Sequence, residues 1–590
     1  MQMPYISQIT LNTGETISLN PDSILVFVGP NNVGKSQAIR DIYDMISDDS
    51  QGVVVNSELI EKPNADDVSA FMKRFAVLNA RQSRYNGFNF EIYDFDYRKY
   101  PNCLEPKDSL PNGFREAYFA FLDTGDRLSV CNPAGQIDRT APADNLIHVL
   151  TRDEGYRSKV SNAFREAFDT DVLPHYANGA TIPLCLGDDI HSFEAESSFE
   201  IYEQLNRYLD RYPKAHLQGD GIKSYLGILL YLYYAQFSAL FIDEPESFLH
   251  PPQAFQMGRT LGNSTDKQLF ITTHSKELLN GLLQNCSERL KIIRVERREE
   301  TNRFAKIKPD DLNILNTTTF LKYSDAIDSL FHTRTVLCES DSDCKFYEAM
   351  LDRVSGSHGV TASTLLLPVG GKSRFKDYLK LLRGLSIEPI MIPDADILND
   401  SGLLKALLPE AGGNWDDIKE EWINLNESLR ADCRDVTCVS ARAEIDALFA
   451  GCKSEVVTSK LRGKITAILA TDSAWSTVKN YGKAAFRGDS RHSYEIIEQY
   501  LNSRNIYPVP VGELENFIPD VSSHGPDWVN VVFENYPDLN DPIYSAAADF
   551  VSTWIKLMIT LNSTVADSDA SLSLSASATA ATACPRTPSS

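Results

Sequence analysis

The sequence predicts an α/β protein built from two successive parallel-sheet units, and three observations carry that prediction. In the first half, the apolar run Ile24 to Val28 stops at a glycine-bearing loop, and the runs Ala239 to Ile242 and Leu269 to Ile271 stop at polar residues of the kind found at functional strand ends. In the second half, Thr335–Cys338, Thr364–Pro368 and Pro389–Pro393 alternate with helical patterns, and strand–helix repeats of that length imply parallel strands. The composition, 43% apolar and 23% charged over 590 residues, is that of a folded globular chain.

The formal net charge is −24, which argues against holding nucleic acid by bulk electrostatics. A nucleic-acid substrate would need a local basic groove, metal ions or a partner that delivers it. The ten cysteines include no C-x-x-C pair, so reduced thiols are expected. The N-terminus lacks the layout of a signal peptide, and a cytoplasmic location is expected. The apolar segment Tyr225 to Ile242 has the length of a short membrane span. It runs straight into Asp243-Glu244-Pro245-Glu246, which suits a buried helix followed by a buried strand, with no membrane crossing.

Taken in order, Ile6 to Leu19 reads as a hairpin turning at Asn12-Thr13-Gly14. The strand Ile24 to Val28 leads into Gly29-Pro30-Asn31-Asn32-Val33-Gly34-Lys35-Ser36, which fits the phosphate loop G-x-x-x-x-G-K-[ST]. Its glycines allow a tight turn with N–H groups facing phosphate, Lys35 reaches the β/γ oxygens, and Ser36 offers a hydroxyl to Mg²⁺. The helix Gln37 to Ile46 points its positive end at the same anion. Asp48 to Asp67 reads as polar and turn-like, and Ala120 to Val130 as a second hairpin around Thr124-Gly125-Asp126. Helices are expected at Ala143–Leu150, Gly155–Phe168 and Phe199–Tyr212, with a strand at Ala180–Leu186. Gly219 to Ser224 reads as a glycine-bearing loop opening the helix Tyr225 to Phe237, or as an ordinary helix start capped by Asp220 or Ser224.

The strand Ala239 to Ile242 ending in Asp243-Glu244 is a Walker B arrangement, one carboxylate for the metal and a second beside the attacking water. The next apolar strand ends at His274, whose imidazole can bond the γ-phosphate or the water. These residues resemble the ATP-binding-cassette type of ATPase, in particular the subfamily related to chromosome-maintenance and recombination-repair ATPases. The resemblance implies an ATP cofactor and gives Gly219 and Gly221 a place in the signature loop, which in that superfamily contacts the γ-phosphate across a dimer interface. This chain departs from the usual Ser-Gly-Gly there. The long separation of Lys35 from Asp243 implies inserted helices, candidates for a dimerisation or partner-binding element.

In the second half, Glu339 and the pair Asp394 and Asp396 each follow a strand, and together they suit a hard-oxygen site for Mg²⁺ or Mn²⁺. Such sites serve phosphoryl chemistry. With Gly370-Gly371 between them, they resemble a TOPRIM domain, a Rossmann-like module of nucleotidyl transfer and hydrolysis. The resemblance makes Glu339 the acid of the first motif, Asp343 its accompanying aspartate, and Asp394 with Asp396 the Asp-x-Asp motif. Ser340 and Asn399 stand where the family commonly has glycine. The competing reading is acidic turns capping helices. Asn505 to Val511 reads as a strand, after which Glu515, ahead of Glu513, is a candidate further metal ligand or a cap. Lys556, in the predicted helix Ala546 to Leu561, could neutralise a phosphate as a late lysine does in related nucleases, or be a solvated helix lysine.

An ATP-binding-cassette head followed by TOPRIM is similar to the overcoming-lysogenisation-defect (OLD) family of nucleases, to which Gabija-type and some retron-associated antiphage effectors belong. The expected domains are an ATPase over 1–325 with a helical insertion over about 140–215, a TOPRIM domain over 326–562 with a helical insertion over about 401–500, and a disordered Ser/Ala/Thr-rich tail over 563–590. The resemblance implies metal-dependent DNA cleavage governed by ATP, a homo-oligomer (dimer or tetramer), and an antiphage setting in which a reverse transcriptase with its RNA–DNA hybrid would be one partner. The alternative is a structural or repair ATPase whose TOPRIM-like fold only binds.

Overall fold

We describe the protein from a computed structural model. It describes residues 1–555 except 48–51, 80–83, 94–112, 139–140, 177, 189–200, 285–287, 299–300, 309–310, 312–324, 356–357, 432–437, 452–455, 470–473, 522 and 524. The chain divides into two compact units, Met1–Phe331 with Gly384–Ser386, and His332–Arg383 with the chain from Ile387 onward.

In the first unit, β1 (Tyr5–Leu11) and β2 (Thr16–Ser18) form the expected hairpin. β3 (Ile24–Val28) is buried at every residue and feeds the phosphate loop and α1 (Lys35–Met45). The segment expected to be turn-like instead contains β4 (Val55–Glu61), antiparallel to β1. Exposed Asn56, Ser57, Leu59 and Glu61 are interleaved with buried Val55, Glu58 and Ile60, as a strand with one solvated face requires. Asp41 on α1 fixes this strand by accepting from the N–H groups of Val54 (2.5 Å) and Val55 (3.1 Å).

The expected second hairpin is a strand and a helix, β5 (Phe119–Leu122) and α2 (Thr124–Ser129). The side chain of Asp123 accepts from Asp126 N–H at 2.8 Å, so Thr124-Gly125-Asp126 is a capped first turn. The expected strand Ala180–Leu186 is two short strands, Thr181–Ile182 and Leu184–Gly187, divided by Pro183, which has no N–H to give a ladder. Helix α3 (Asp220–Tyr233) begins earlier than expected, with Gly219 at its N-cap and Gly221 to Ser224 already helical. Neither Asp220 nor Ser224 is the cap.

β6 (Ala239–Asp243), α4 (Pro251–Asn263), β7 (Gln268–Thr273), α5 (Lys276–Leu283), and the antiparallel pair β8 (Leu290–Arg298) and β9 (Thr301–Ile307) complete the main sheet. Its order is β9-β8-β3-β7-β6-β5, parallel except at β9. Near-continuous apolar strands are what a parallel sheet buried on both faces needs. Phe241 and Phe270 stack across neighbouring strands at 4.5 Å.

The second unit is built on β10 (Arg334–Cys338), α6 (Asp341–Ser355), β11 (Thr364–Pro368), α7 (Phe375–Gly384) and β12 (Ile390–Ile392). The three strands are parallel in the order β11-β10-β12. The expected strand Asn505–Val511 makes only one isolated bridge, Met391 with Ile506. The segment still runs beside β12, with Tyr507 N–H donating to Met391 O and Val509 N–H to Pro393 O. Pro508 and Pro510 deny it a regular ladder. Among the described residues, six α-helices lie in 401–502, the fifth being α8 (Ala474–Tyr481). A helix over 545–555 closes the unit over a core holding Phe346, Tyr347, Trp528 and Trp554. Lys556 and the tail 563–590 lie outside the described residues. Among the described residues, no helix is long and apolar enough to cross a membrane.

Candidate functional sites

Strand order explains how distant motifs meet in the first unit. β3, β7 and β6 are neighbours, with Val28 opposite Thr273 and Asp243 opposite Thr272, so the phosphate loop, His274 and Glu244 emerge side by side. They border a cleft of about 1030 Å³, lined by Asn31, Asn32, Gly34, Lys35, Ser36, Glu244 and His274, together with Asn12, Arg297 and Asn302. The loop needs its glycines. Gly34 has φ 95°, and a Cβ on Gly29 would sit 2.2 Å from Val295 O.

Lys35 is buried, its Nζ donating to the carbonyls of Gly29 (2.9 Å) and Pro30 (2.7 Å). Burial lowers its pKa, while Glu244, Glu246 and Asp243 oppose the shift. Ser36 Oγ donates to Asp243 Oδ1 at 2.8 Å, and Thr272 Oγ1 to the same oxygen at 2.5 Å. A hydroxyl and a carboxylate oxygen already facing each other beside a lysine fit Mg²⁺ with a polyphosphate: Lys35 and the loop N–H groups would hold the anion, Ser36 and Asp243 the metal.

Glu244 sits at φ 48°, its N–H held by the carbonyl and hydroxyl oxygens of Thr272. Its Oε1 lies 3.3 Å from His274 Nδ1. That bond lowers the Glu244 pKa and raises that of His274. Behind them Glu246 is buried, with Oε1 accepting from Thr273 Oγ1 (2.8 Å) and His274 N–H (3.0 Å), and burial raises its pKa. Sequence reasoning missed both this second glutamate and Arg127. The fully buried guanidinium of Arg127 donates to Asp243 O at 2.6 Å and faces the charges of Asp243, Glu246, Asp123 and Glu244. The only sequence signal for it was an arginine one turn after a helix cap. Gly219 and Gly221 do not line the cleft; a Cβ on Gly221 would approach Phe248 O to 2.6 Å.

In the second unit the first acid follows the middle strand, and glycines hold it in place. The N–H groups of Gly370 and Gly371 both donate to Glu339 O (2.9 and 3.0 Å), and both glycines have positive φ. The Glu339 carboxylate accepts from Asp394 N–H at 3.1 Å, which brings the first and third strand ends together. Burial, with repulsion from Asp396 and Asp343, lifts the Glu339 pKa to about 7, against the pull of Asp394 N–H and Lys372. Asp394 is raised by burial and by Glu339, Asp343, Asp396 and Glu513, and Asp343 by burial first.

Asp343 lies in the first turn of α6 and accepts from Ser340 N–H and Oγ (2.7 and 2.8 Å), so it serves as a cap while facing the cluster. Lys372 Nζ bonds Asp396 Oδ2 at 2.8 Å. Glu515 Oε1 accepts from Gly525 N–H, and its charge reaches Asp343. Glu513 pairs with Lys479 at 3.0 Å and reaches Asp394. Among the described residues, no group of three His, Cys, Asp or Glu side chains is close enough to hold a metal ion as it stands. The donor chemistry nonetheless fits a hard divalent cation, since buried carboxylates that repel one another are those a cation would stabilise. Glu339, Asp394 and Asp396 would be its nearest ligands.

Comparison with known proteins follows the same division. Residues 24–280 match the family model "AAA domain, putative AbiEii toxin, Type IV TA system", and residues 330–396 match "Overcoming lysogenization defect protein-like, TOPRIM domain". The chain joins an ATPase domain to an OLD-like TOPRIM domain. That order matches an OLD-family ATPase–TOPRIM nuclease. A search of curated proteins found no match. Among solved structures, an SMC head bound to the C-winged-helix domain of ScpA is 11% identical with a TM-score of 0.31, covering 52% of this chain and 98% of that one. The SMC head domain from Thermotoga maritima is 12% identical with a TM-score of 0.27, covering 51% and 99%. RNase-L Inhibitor is 13% identical with a TM-score of 0.24, covering 54% and 42%.

The TOPRIM match ends at Asp396, so it takes in Glu339, Asp343, Asp394 and Asp396 but not Glu513 or Glu515. The ATPase match takes in the phosphate loop, the Asp243-Glu244 strand end and His274.

Proposed function

We propose that the chain is an ATP-regulated, metal-dependent DNA endonuclease of the OLD type, acting as an antiphage effector. The observation that carries this reading is the half-buried acidic cluster of Glu339, Asp394 and Asp396 at the ends of parallel strands, in the same chain as a phosphate-loop cleft. A bound Mg²⁺ or Mn²⁺ would supply charge for the attacking and leaving oxygens of a phosphodiester. Glu339, Asp394 and Asp396 would hold it, with Asp343 and Glu515 behind them. In the ATPase domain, Lys35 and Ser36 would bind nucleotide, Asp243 the metal, Glu244 would orient water, and His274 would report the γ-phosphate. Gly219 and Gly221 would act from a second copy, in a homodimer or tetramer. The antiphage role, the cytoplasmic location and a reverse transcriptase as partner rest on the resemblance to OLD-family effectors. The domain limits we favour are 1–325, 326–562 and a tail from 563.

A repair-type ATPase with a binding-only TOPRIM fold is the second reading, favoured by the Lys372–Asp396 ion pair, which neutralises one acid without metal. Plasmid cleavage separates the two. The nuclease reading predicts cutting in Mg²⁺ or Mn²⁺ that EDTA stops and Glu339→Ala lowers at least about 100-fold. ATP hydrolysis with no metal-dependent cutting would favour the ATPase reading.

A further inference from the structure

The TOPRIM carboxylates face a problem of charge. A phosphodiester must approach a cluster that already holds Glu339, Asp343, Asp394, Asp396 and Glu513, and a cation on the open side would favour that approach. Two lysines border the cluster. Lys372 is tied to Asp396 and is 32% exposed. Lys479, from α8 of the helical insertion, is 50% exposed and pairs with Glu513 at 3.0 Å.

The position of Lys479 is fixed by backbone packing. A Cβ on Gly512 would lie 2.1 Å from Lys479 O, and one on Gly482 would lie 2.1 Å from Pro510 O, so the two stretches touch main chain to main chain. Asn516 Nδ2 donates to Lys479 O (2.8 Å) and Val511 O (3.0 Å), and Lys483 N–H donates to Pro510 O at 2.9 Å. The same turn is bonded to the acidic motif, since Ala395 N–H donates to Gly512 O at 2.8 Å. The end of α8 is thus attached through 510–512 to the residue between Asp394 and Asp396. A lysine near a helix C-terminus often serves the helix dipole; this one reaches across to a carboxylate instead.

We propose that Lys479, supplied by the helical insertion, contacts a DNA phosphate at the TOPRIM site. On substrate binding its ammonium exchanges Glu513 for a non-bridging phosphate oxygen. The insertion thereby furnishes part of the substrate site, and this rests on the nuclease reading above.

The test uses the full chain with Lys479→Gln, Lys479→Arg and Glu339→Ala. Glutamine can still bond Glu513, so a bracing role survives in Lys479→Gln while the charge is lost. Cleavage of supercoiled plasmid in Mn²⁺ is measured beside binding of a labelled duplex in Ca²⁺ across a KCl series. Lys479→Gln is expected to slow cleavage about 10- to 100-fold and to lower the magnitude of the salt slope by about 0.9, with Lys479→Arg restoring most of both. The proposal is overturned if Lys479→Gln cuts and binds like the wild type while Glu339→Ala is dead. It is equally overturned if cutting falls with no change in slope and no rescue by arginine, since the loss would then not be that of a cation held on a phosphate. If Glu339→Ala cuts normally, the nuclease reading fails and takes this proposal with it, a pattern distinct from the other two.

Discussion

Glu339 is the residue at which charge and burial meet in the proposed metal site. Its pKa is raised from 4.5 to about 7 by burial and neighbouring acids, so without metal the fold favours its protonated form. The folded state then binds more protons than the unfolded one between those values, so the stability this group contributes is present below 4.5 and is lost as pH rises through about 7. Thermal melting in EDTA should therefore show stability falling across that window, and Glu339→Gln should flatten the fall. Metal binding needs the carboxylate, so Mg²⁺ should raise the melting temperature most at the upper end of the window. A melting profile in EDTA whose pH dependence is the same with glutamine at 339 would contradict this account. At the same scale, Lys35, Ser36, Asp243, Glu244 and His274 were legible in the sequence because each follows an apolar run and is chemically distinctive. Arg127, Glu246 and Lys479 were not, because each acquires its role from residues far away in the chain.

Among the elements, α4 and α5 show how packing supports chemistry. A Cβ on Gly281 would lie 2.1 Å from Phe255 O, and one on Gly258 would lie 2.2 Å from Leu278 O, so the two helices cross with backbones in contact. Gly281→Ala forces them apart, at a cost of about 1–3 kcal/mol. Because α5 starts two residues after His274, the same change should slow ATP hydrolysis. Calorimetry and phosphate release would register both effects, and an unchanged melting temperature would argue against the close crossing. Buried parallel strands were the readable elements here, their apolar runs being continuous. β4 was hidden because its buried side carries Glu58 and its exposed side Leu59, which breaks the apolar-polar alternation, α2 because a capped Thr-Gly-Asp start looks like a hairpin turn, and the 505–511 segment because prolines interrupt an otherwise strand-like pattern.

For the whole molecule, the order of motifs along the chain divided it into two α/β parts, and each unit gathers its motifs at the ends of parallel strands. Sequence order alone says less about the insertions, whose helices carry no distinctive motif. Only the folded unit 2 attaches α8 to the turn that holds Ala395. The central claim is that one chain combines a nucleotide-controlled head with a metal-dependent nuclease. It is tested most directly by the rate of supercoiled-plasmid cleavage in Mg²⁺ or Mn²⁺ with ATP, with ADP and without nucleotide, for the wild type, Lys35→Ala and Glu339→Ala. The account predicts that Glu339→Ala is inactive throughout, that the wild-type rate changes with nucleotide, and that Lys35→Ala removes that change. Cleavage that ignores nucleotide in the wild type, or that survives Glu339→Ala, would contradict it.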